Sequence, residues 1–270
     1  MNAQSATGNK AIGVFDSGVG GLTVVRELMQ HMPNEEIIYF GDTARVPYGS
    51  KSKETVTKYA EEIVRFLLSK DVKAVVIACN TVSSNSYAAL KAAFDIPMIE
   101  MVSHGANMCL HVTDNNTIGV IGTEATIRSR AYEQMILAAR PEAKVFAKAC
   151  PLFVPLAEEG WTGNTVAQLT AEIYLQELID QKIDSLVLGC THYPLLLDCI
   201  RNAVGGAMHI INPAEAAAVH LNRFLRENNA ERTCSTAPKH MFYVSDNTQK
   251  FDRICRVVLG NSYPAETVNL

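Results

Sequence analysis

Short uninterrupted runs of Val, Ile, Leu, Phe and Ala recur along the chain at Ala11–Phe15, Ile37–Phe40, Ala74–Ala78, Thr117–Ile121, Ser185–Leu188, His209–Ile211 and Met241–Val244. Runs of this kind are continuous rather than alternating, which predicts strands buried on both faces. Between most of them lie longer segments of helical period. Lys53–Ser69 and Thr165–Gln181 are examples, each placing charges on one face and Leu, Ile, Val or Ala on the other. Alternation of the two kinds of segment predicts parallel sheets covered by helices, an α/β fold.

The pattern also repeats. Ile12-Gly13-Val14 returns as Ile118-Gly119-Val120, Val46-Pro47 as Val154-Pro155, and Ala78-Cys79-Asn80-Thr81 as Gly189-Cys190-Thr191-His192, each about 110 residues further on. Both copies run in the order strand, polar loop, helix, strand, cysteine. The expectation is two pseudo-symmetric, mainly parallel-sheet α/β domains. Loops at the carboxyl ends of their strands would face one another across a cleft that holds the active site.

Of the 270 residues, 48% are hydrophobic, enough to bury one large core or two of ordinary size. No stretch reaches the ~18 to 20 apolar residues of a membrane span, and the opening Met1–Lys10 is polar rather than the core of a signal peptide. A cytoplasmic protein with no membrane partner is expected. The net charge of −4 comes from interspersed acids and bases, so no basic face awaits a phosphate backbone and nucleic acid is not an expected partner. Seven cysteines without short regular spacing suit reduced thiols better than a disulfide framework or a metal site. No motif decides between a monomer and a homodimer.

Two cysteines stand apart from the other five. Cys79 follows the apolar run ending at Ala78 and precedes Asn80-Thr81 and a helix expected to begin near Ser83. Cys190 follows Leu186–Gly189 and precedes Thr191-His192-Tyr193, with Pro194 at a favoured first helical position. Both sulfurs are therefore expected at a strand end beside a helix amino terminus. Unpaired N–H groups there favour the thiolate and lower a thiol pKa from about 8.5 toward neutrality. A thiol so placed both takes and gives protons. A cysteine in an apolar run is ordinarily a small buried hydrophobe, and Cys109, Cys150, Cys199, Cys234 and Cys255 are read in that way. Equivalence in the two repeats, with hydrogen-bonding residues directly after each, separates Cys79 and Cys190 from that class.

Asp16-Ser17-Gly18 closes the first strand, so a carboxylate and a hydroxyl are expected to point into the cleft. Asp16 either binds an ammonium or assists a thiol, or else it caps a helix without catalytic duty. His192, two residues after Cys190, reads as a proton relay rather than a structural hydrogen-bonder. In Pro47-Tyr48-Gly49, backbone N–H groups either hold a carboxylate or belong to an ordinary Pro/Gly turn. Glu158, in the matching loop of the second repeat, is a third candidate for assisting proton transfer, or a solvated charge beside Glu159.

A rival reading takes Gly18-Val19-Gly20-Gly21-Leu22-Thr23 as a dinucleotide fingerprint, with Asp42 suitably placed after the second strand. Thr23 replaces its last glycine, Asp16-Ser17 intrude before its first, and the duplicated cysteines are left without a role. A non-catalytic pair of amino-acid-binding lobes is the third reading. Serving transport, it would be expected to carry a secretion signal.

Taken together, Phe15-Asp16-Ser17-Gly18-Val19-Gly20-Gly21, Pro47-Tyr48-Gly49, Ala78-Cys79-Asn80-Thr81 and Gly189-Cys190-Thr191-His192-Tyr193-Pro194 resemble the glutamate racemases of bacterial cell-wall synthesis. The blocks fall in that family's order and spacing over nearly the whole chain. The resemblance implies interconversion of L- and D-glutamate without pyridoxal phosphate or metal, supplying the D-enantiomer for peptidoglycan. It implies that Cys79 deprotonates D-glutamate and Cys190 L-glutamate, assisted by Asp16 and His192 respectively. It also implies that Asp16-Ser17, Tyr48-Gly49, Asn80-Thr81 and Thr191-His192 bind substrate. Finally it implies interleaved domains, residues 1–99 with 212–270 forming one and 100–211 the other. Aspartate stays open as an alternative substrate.

Overall fold

A computed structural model describes residues 8–270, so the first part of the polar opening, Met1–Thr7, lies outside the described residues. The strands are β1 (Ile12–Asp16), β2 (Ile37–Gly41), β3 (Ala74–Ile77), β4 (Met98–Glu100), β5 (Thr117–Gly122), β6 (Lys144–Ala149), β7 (Ser185–Gly189), β8 (His209–Ile211), β9 (Met241–Val244) and β10 (Ala265–Thr267). They form two parallel sheets, ordered β10-β9-β2-β1-β3-β4 and β6-β5-β7-β8. Read from its other edge, the second sheet is β8-β7-β5-β6, which reproduces the β4-β3-β1-β2 portion of the first strand for strand. The sequence repeat is thus a topological repeat, extended in the first sheet by β9 and β10.

Helices cover both faces of each sheet, which is why β1, β2, β3 and β7 are buried along their whole length. Lys53–Ser69 forms the helix its periodicity predicts. Ser52 caps it, its Oγ accepting from Thr55 N at 3.3 Å, and Val56, Ala60, Ile63, Val64 and Leu67 form its buried stripe. Each such aliphatic side chain contributes about 1.5–3 kcal/mol on burial, so Ile63→Ala alone would cost about 2–5 kcal/mol. The second predicted helix runs Thr165–Asp180, capped by Asn164 and buried through Ala167, Ala171, Leu175 and Leu178. Among the described residues, no helix is long and apolar enough to cross a membrane.

Two crossings join the sheets, and both use the same local device. β4 ends at Glu100, whose carboxylate accepts from Val102 N and Ser103 N at 2.6 and 2.7 Å and so starts the helix Met101–Val112. β8 is followed by Asn212, whose side chain caps Pro213–Glu227 on the return. These two helices pack against each other between the sheets, with the His104 and His220 rings 4.5 Å apart. The cleft opens at the carboxyl ends of β1, β3, β5 and β7.

Candidate active site

The cleft is a cavity of about 480 Å³, and both repeats line it. From the first come Ser17, Tyr48, Gly49, Cys79, Asn80 and Thr81; from the second come Thr123, Glu158, Cys190, Thr191 and His192. The repeated dipeptides Val46-Pro47 and Val154-Pro155 also line it, on opposite walls. Of the residues read in the sequence as catalytic or substrate-binding, Asp16 alone is absent from the cavity lining. It ends β1 fully buried, its carboxylate accepting from Gly18 N at 3.1 Å and from Thr191 Oγ1 at 3.4 Å. Burial raises its pKa, and the nearby His192 charge partly offsets that.

The helix after Cys79 begins three residues earlier than expected, at Asn80, and makes Cys79 its N-cap residue. That brings Val82 N–H to the sulfur, as the sequence reading wanted, and Ser17 Oγ lies 3.5 Å from Sγ. The acidity nevertheless runs the other way. Burial dominates, Asp16 adds negative charge, and together they push the Cys79 thiol up to about 12 against the help of Ser17 and Val82. At neutral pH Cys79 is therefore a thiol. The expected lowering fails here because desolvating a thiolate costs more than one N–H and one hydroxyl return.

Cys190 ends its strand in the same way, but Tyr193–Leu196 is a short 3-10 turn with Pro194 second in it, and the α-helix begins only at Leu197. The turn places the His192 ring beside the sulfur, Nδ1 at 3.8 Å from Sγ. On the other side of the ring, Nε2 lies 3.1 Å from Glu158 Oε1. Burial disfavours the imidazolium, but Cys190 and Glu158 outweigh it and raise His192 to about 10. Glu158 is only 15% exposed and falls to about 2; burial opposes its charge, while His192 and Lys250 favour it. It is therefore no solvated surface carboxylate.

Cross-cleft contacts orient the remaining groups. Tyr132 Oη donates to Asn80 Oδ1 at 2.7 Å, which turns the Asn80 amide nitrogen away from Tyr132. Thr81 Oγ1 meets Thr123 Oγ1 at 2.9 Å, and Thr23 Oγ1 donates to the Thr191 carbonyl at 2.9 Å. Thr123 was not singled out in the sequence, although it follows β5 as Ser17 follows β1. Tyr132 carried no such signal.

The rival dinucleotide reading finds a different explanation for its residues. A Cβ on Gly20 would lie 2.5 Å from the His192 ring, and one on Gly21 would lie 2.5 Å from Asp16 Cβ. The glycines let a histidine from the other repeat and the floor carboxylate approach the backbone. Asp42 is buried and occupied: it accepts from Arg45 at 2.6 Å, from Ser245 at 2.8 Å and from the Tyr48 hydroxyl. The Tyr48 phenol thus points into the first core and leaves the loop backbone facing the cavity. All seven cysteines are free thiols.

A buried thiol on each wall of one cleft, one of them with a histidine and a carboxylate behind it, is the arrangement of an acid–base enzyme. Residues 21–221 match the family model described as Asp/Glu/Hydantoin racemase. The glutamate racemase of Geobacter metallireducens is 49% identical over 251 residues, covering 93% of each chain. Among solved structures, glutamate racemase from Francisella tularensis in complex with D-glutamate superposes with a TM-score of 0.90 at 40% identity, covering 97% of this chain and 98% of that one. Glutamate racemase from Bacillus anthracis gives 0.93 at 38% identity, with the same coverage. The chain belongs to the Asp/Glu/hydantoin racemase family and, within it, to the glutamate racemases, and it is an isomerase.

Proposed function

We propose that the cleft interconverts L- and D-glutamate by a two-base mechanism, with Cys79 and Cys190 acting on opposite faces of the α-carbon. The observation that carries this reading is that the two cysteines, at matching places in the repeat and rooted in different sheets, line one cavity. The Francisella relative with D-glutamate bound supports the substrate. Supply of the D-enantiomer to peptidoglycan synthesis in the cytoplasm is the role that fits such a product.

An amino-acid α-proton is very weakly acidic, so inversion needs a base on one face, an acid on the other, and donors that hold the developing charge in a dry site. In the L-to-D direction the Cys190 thiolate takes the α-proton; the Cα–H bond breaks, an S–H bond forms, and the electron pair stays on Cα, delocalised into the carboxylate. The Cys79 thiol then breaks its S–H bond and forms the new Cα–H bond on the other face. Cys190 is left as thiol and Cys79 as thiolate, and exchange with solvent restores the start. In the reverse direction the roles exchange.

His192, held as imidazolium by Glu158, stabilises the Cys190 thiolate before the transfer. Ser17 and the Val82 N–H do the same for Cys79 after it has given its proton. Asp16 acts from beneath the floor, where its charge favours the protonated form of Cys79 and its contact with Thr191 keeps the walls in register. Asn80, Thr81, Thr191 and the Tyr48-Gly49 backbone are the groups proposed to hold the substrate's charged ends. The lobes, residues 1–99 with 212–270 and residues 100–211, are proposed to close on substrate and reopen for release. Two thiols supply both proton transfers, so the mechanism calls for no cofactor.

Turnover of L-glutamate in heavy water tests the division of labour. At a few per cent conversion the D-product should carry deuterium from Cys79 while the recovered L-pool stays unlabelled, as read by mass spectrometry of the separated enantiomers. Protium in the early D-product, or deuterium in the L-pool, would mean that one base serves both faces.

A further inference from the structure

The histidine–carboxylate pair behind Cys190 is not complete within its own lobe. Glu158 ends the helix Phe153–Glu158 of the second lobe, and its Oε1 faces His192. Its other oxygen accepts from Lys250 Nζ at 2.7 Å, and its backbone carbonyl accepts from Arg253 Nη2 at 3.1 Å. Lys250 and Arg253 lie one turn apart on the helix Thr248–Leu259, which follows β9. The buried face of that helix, Phe251, Ile254, Cys255 and Val258, is packed into the core of the first sheet with Tyr39 and Phe242. The grip on Glu158 therefore comes from the opposite lobe.

Resting on the two-cysteine reading above, we propose that Lys250 is a positioning residue for the reaction. It fixes the Glu158 carboxylate so that Oε1 stays on His192 Nε2, and it makes that alignment depend on the lobes being closed. The local chemistry argues that this is more than a surface ion pair. Lys250 sits in the first turn of its helix, where a positive charge is opposed by the helix dipole, so helix formation alone gives no reason for a lysine there. Asn247 holds its backbone, Oδ1 accepting from Lys250 N at 3.0 Å, which sets the direction in which the side chain leaves. Glu158 is bound at both carboxylate oxygens and at its carbonyl, which leaves it little rotational freedom. Without Lys250 the carboxylate is free to rotate about its last torsion, and the imidazolium loses its fixed partner.

The test is a double-mutant cycle. Lys250→Met should lower kcat about tenfold with KM nearly unchanged, since the misplaced group acts on the chemical step rather than on substrate binding. Lys250→Arg, which keeps a charged donor, should recover most of the rate. Glu158→Gln should lower kcat further, and Glu158→Gln with Lys250→Met should be no slower than Glu158→Gln alone, because Lys250 acts through Glu158. Thermal unfolding should move little in Lys250→Met, as the pair is partly exposed. Multiplied losses in the double mutant, or an unchanged kcat in Lys250→Met while Glu158→Gln is slow, would overturn the proposal and leave the two-cysteine reading standing. Full turnover in Glu158→Gln would likewise overturn it, whereas the two-cysteine reading falls only if Cys79→Ala or Cys190→Ala keeps its turnover.

Discussion

Around Cys79 the first sheet supplies a hydroxyl, one backbone N–H and a buried carboxylate; around Cys190 the second supplies an imidazolium braced by a carboxylate, which a lysine of the first lobe holds from across the cleft. The two walls descend from one repeat, yet they differ at the positions that set acidity. His192 stands where Thr81 stands in the first repeat, and the strand that ends at Asp16 in the first lobe ends at Gly122 in the second. Thr81 turns to Thr123 across the cleft, whereas His192 turns to the sulfur beside it. The repeat thus specifies where a thiol sits, and a few substitutions around it specify which groups surround that thiol. This asymmetry is what the proposed two-base mechanism calls for, in which one sulfur gives a proton while the other takes one.

Removing either sulfur should erase the comparison. Cys79→Ala and Cys190→Ala are each expected to lose at least about a thousandfold in racemisation, beyond the range of a lost assistant, followed by optical rotation or circular dichroism. Near-normal turnover in either folded variant would mean that the walls are not partners.

Stripping the assistance from the Cys190 wall should cost less, on the order of a hundredfold for His192→Asn, and should alter the pH profile in a defined direction. Because His192 is raised to about 10, its imidazolium persists through neutral pH, and kcat/KM should fall only as pH rises through that value. In Glu158→Gln the supporting charge is gone and the alkaline limb should move down. The linked stability follows the same sign: the His192 contribution is present below its unfolded value near 6.5 and fades as pH rises through about 10. The Glu158 contribution is present above about 4.5 and fades as pH falls toward about 2. Proton-detected titration of the His192 ring would read this directly, and a midpoint near 6.5 would contradict the charged pair.

Gly20→Ala probes the space one lobe leaves for the other. Its Cβ would meet the His192 ring at 2.5 Å, so destabilisation of about 1–3 kcal/mol and slower turnover are expected, measured by thermal melting and by rate. Unchanged values for both would show that the ring moves aside freely. The smallest effect is expected at Cys199, which lies outside the cleft lining; Cys199→Ala should leave turnover close to that of the parent.

Much of this architecture could be read along the chain. The runs at β1, β2, β3, β5, β7 and β9 announced themselves because strands inside a parallel sheet are buried on both faces and so become continuously apolar, while the edge strand β8 was legible from Ile210-Ile211. β6 did not, since Lys144–Ala149 is a half-exposed edge strand with lysines at both ends of its run, and β4 and β10 are only three residues long. Within the site, the matched motifs led to both cysteines, to His192 and to the Tyr48-Gly49 loop. Thr123 was within reach of the same repeat logic.

By itself the sequence determined the period of most elements, the duplication, the parallel α/β class and the placement of a thiol at two equivalent strand ends. These properties depend on near neighbours and on self-similarity, and hydrophobic burial enforces them wherever the segments lie. Tertiary structure alone decided the acidities and the partners. Cys79 became a high-pKa thiol because packing buries it beside Asp16, which no local motif records. Tyr132 and Lys250 reach Asn80 and Glu158 from 52 and 92 residues away, and Asp16 meets Thr191 across 175. Desolvation and long-range hydrogen bonds depend on what packs against a group, and that is set only when the two halves of the repeat meet.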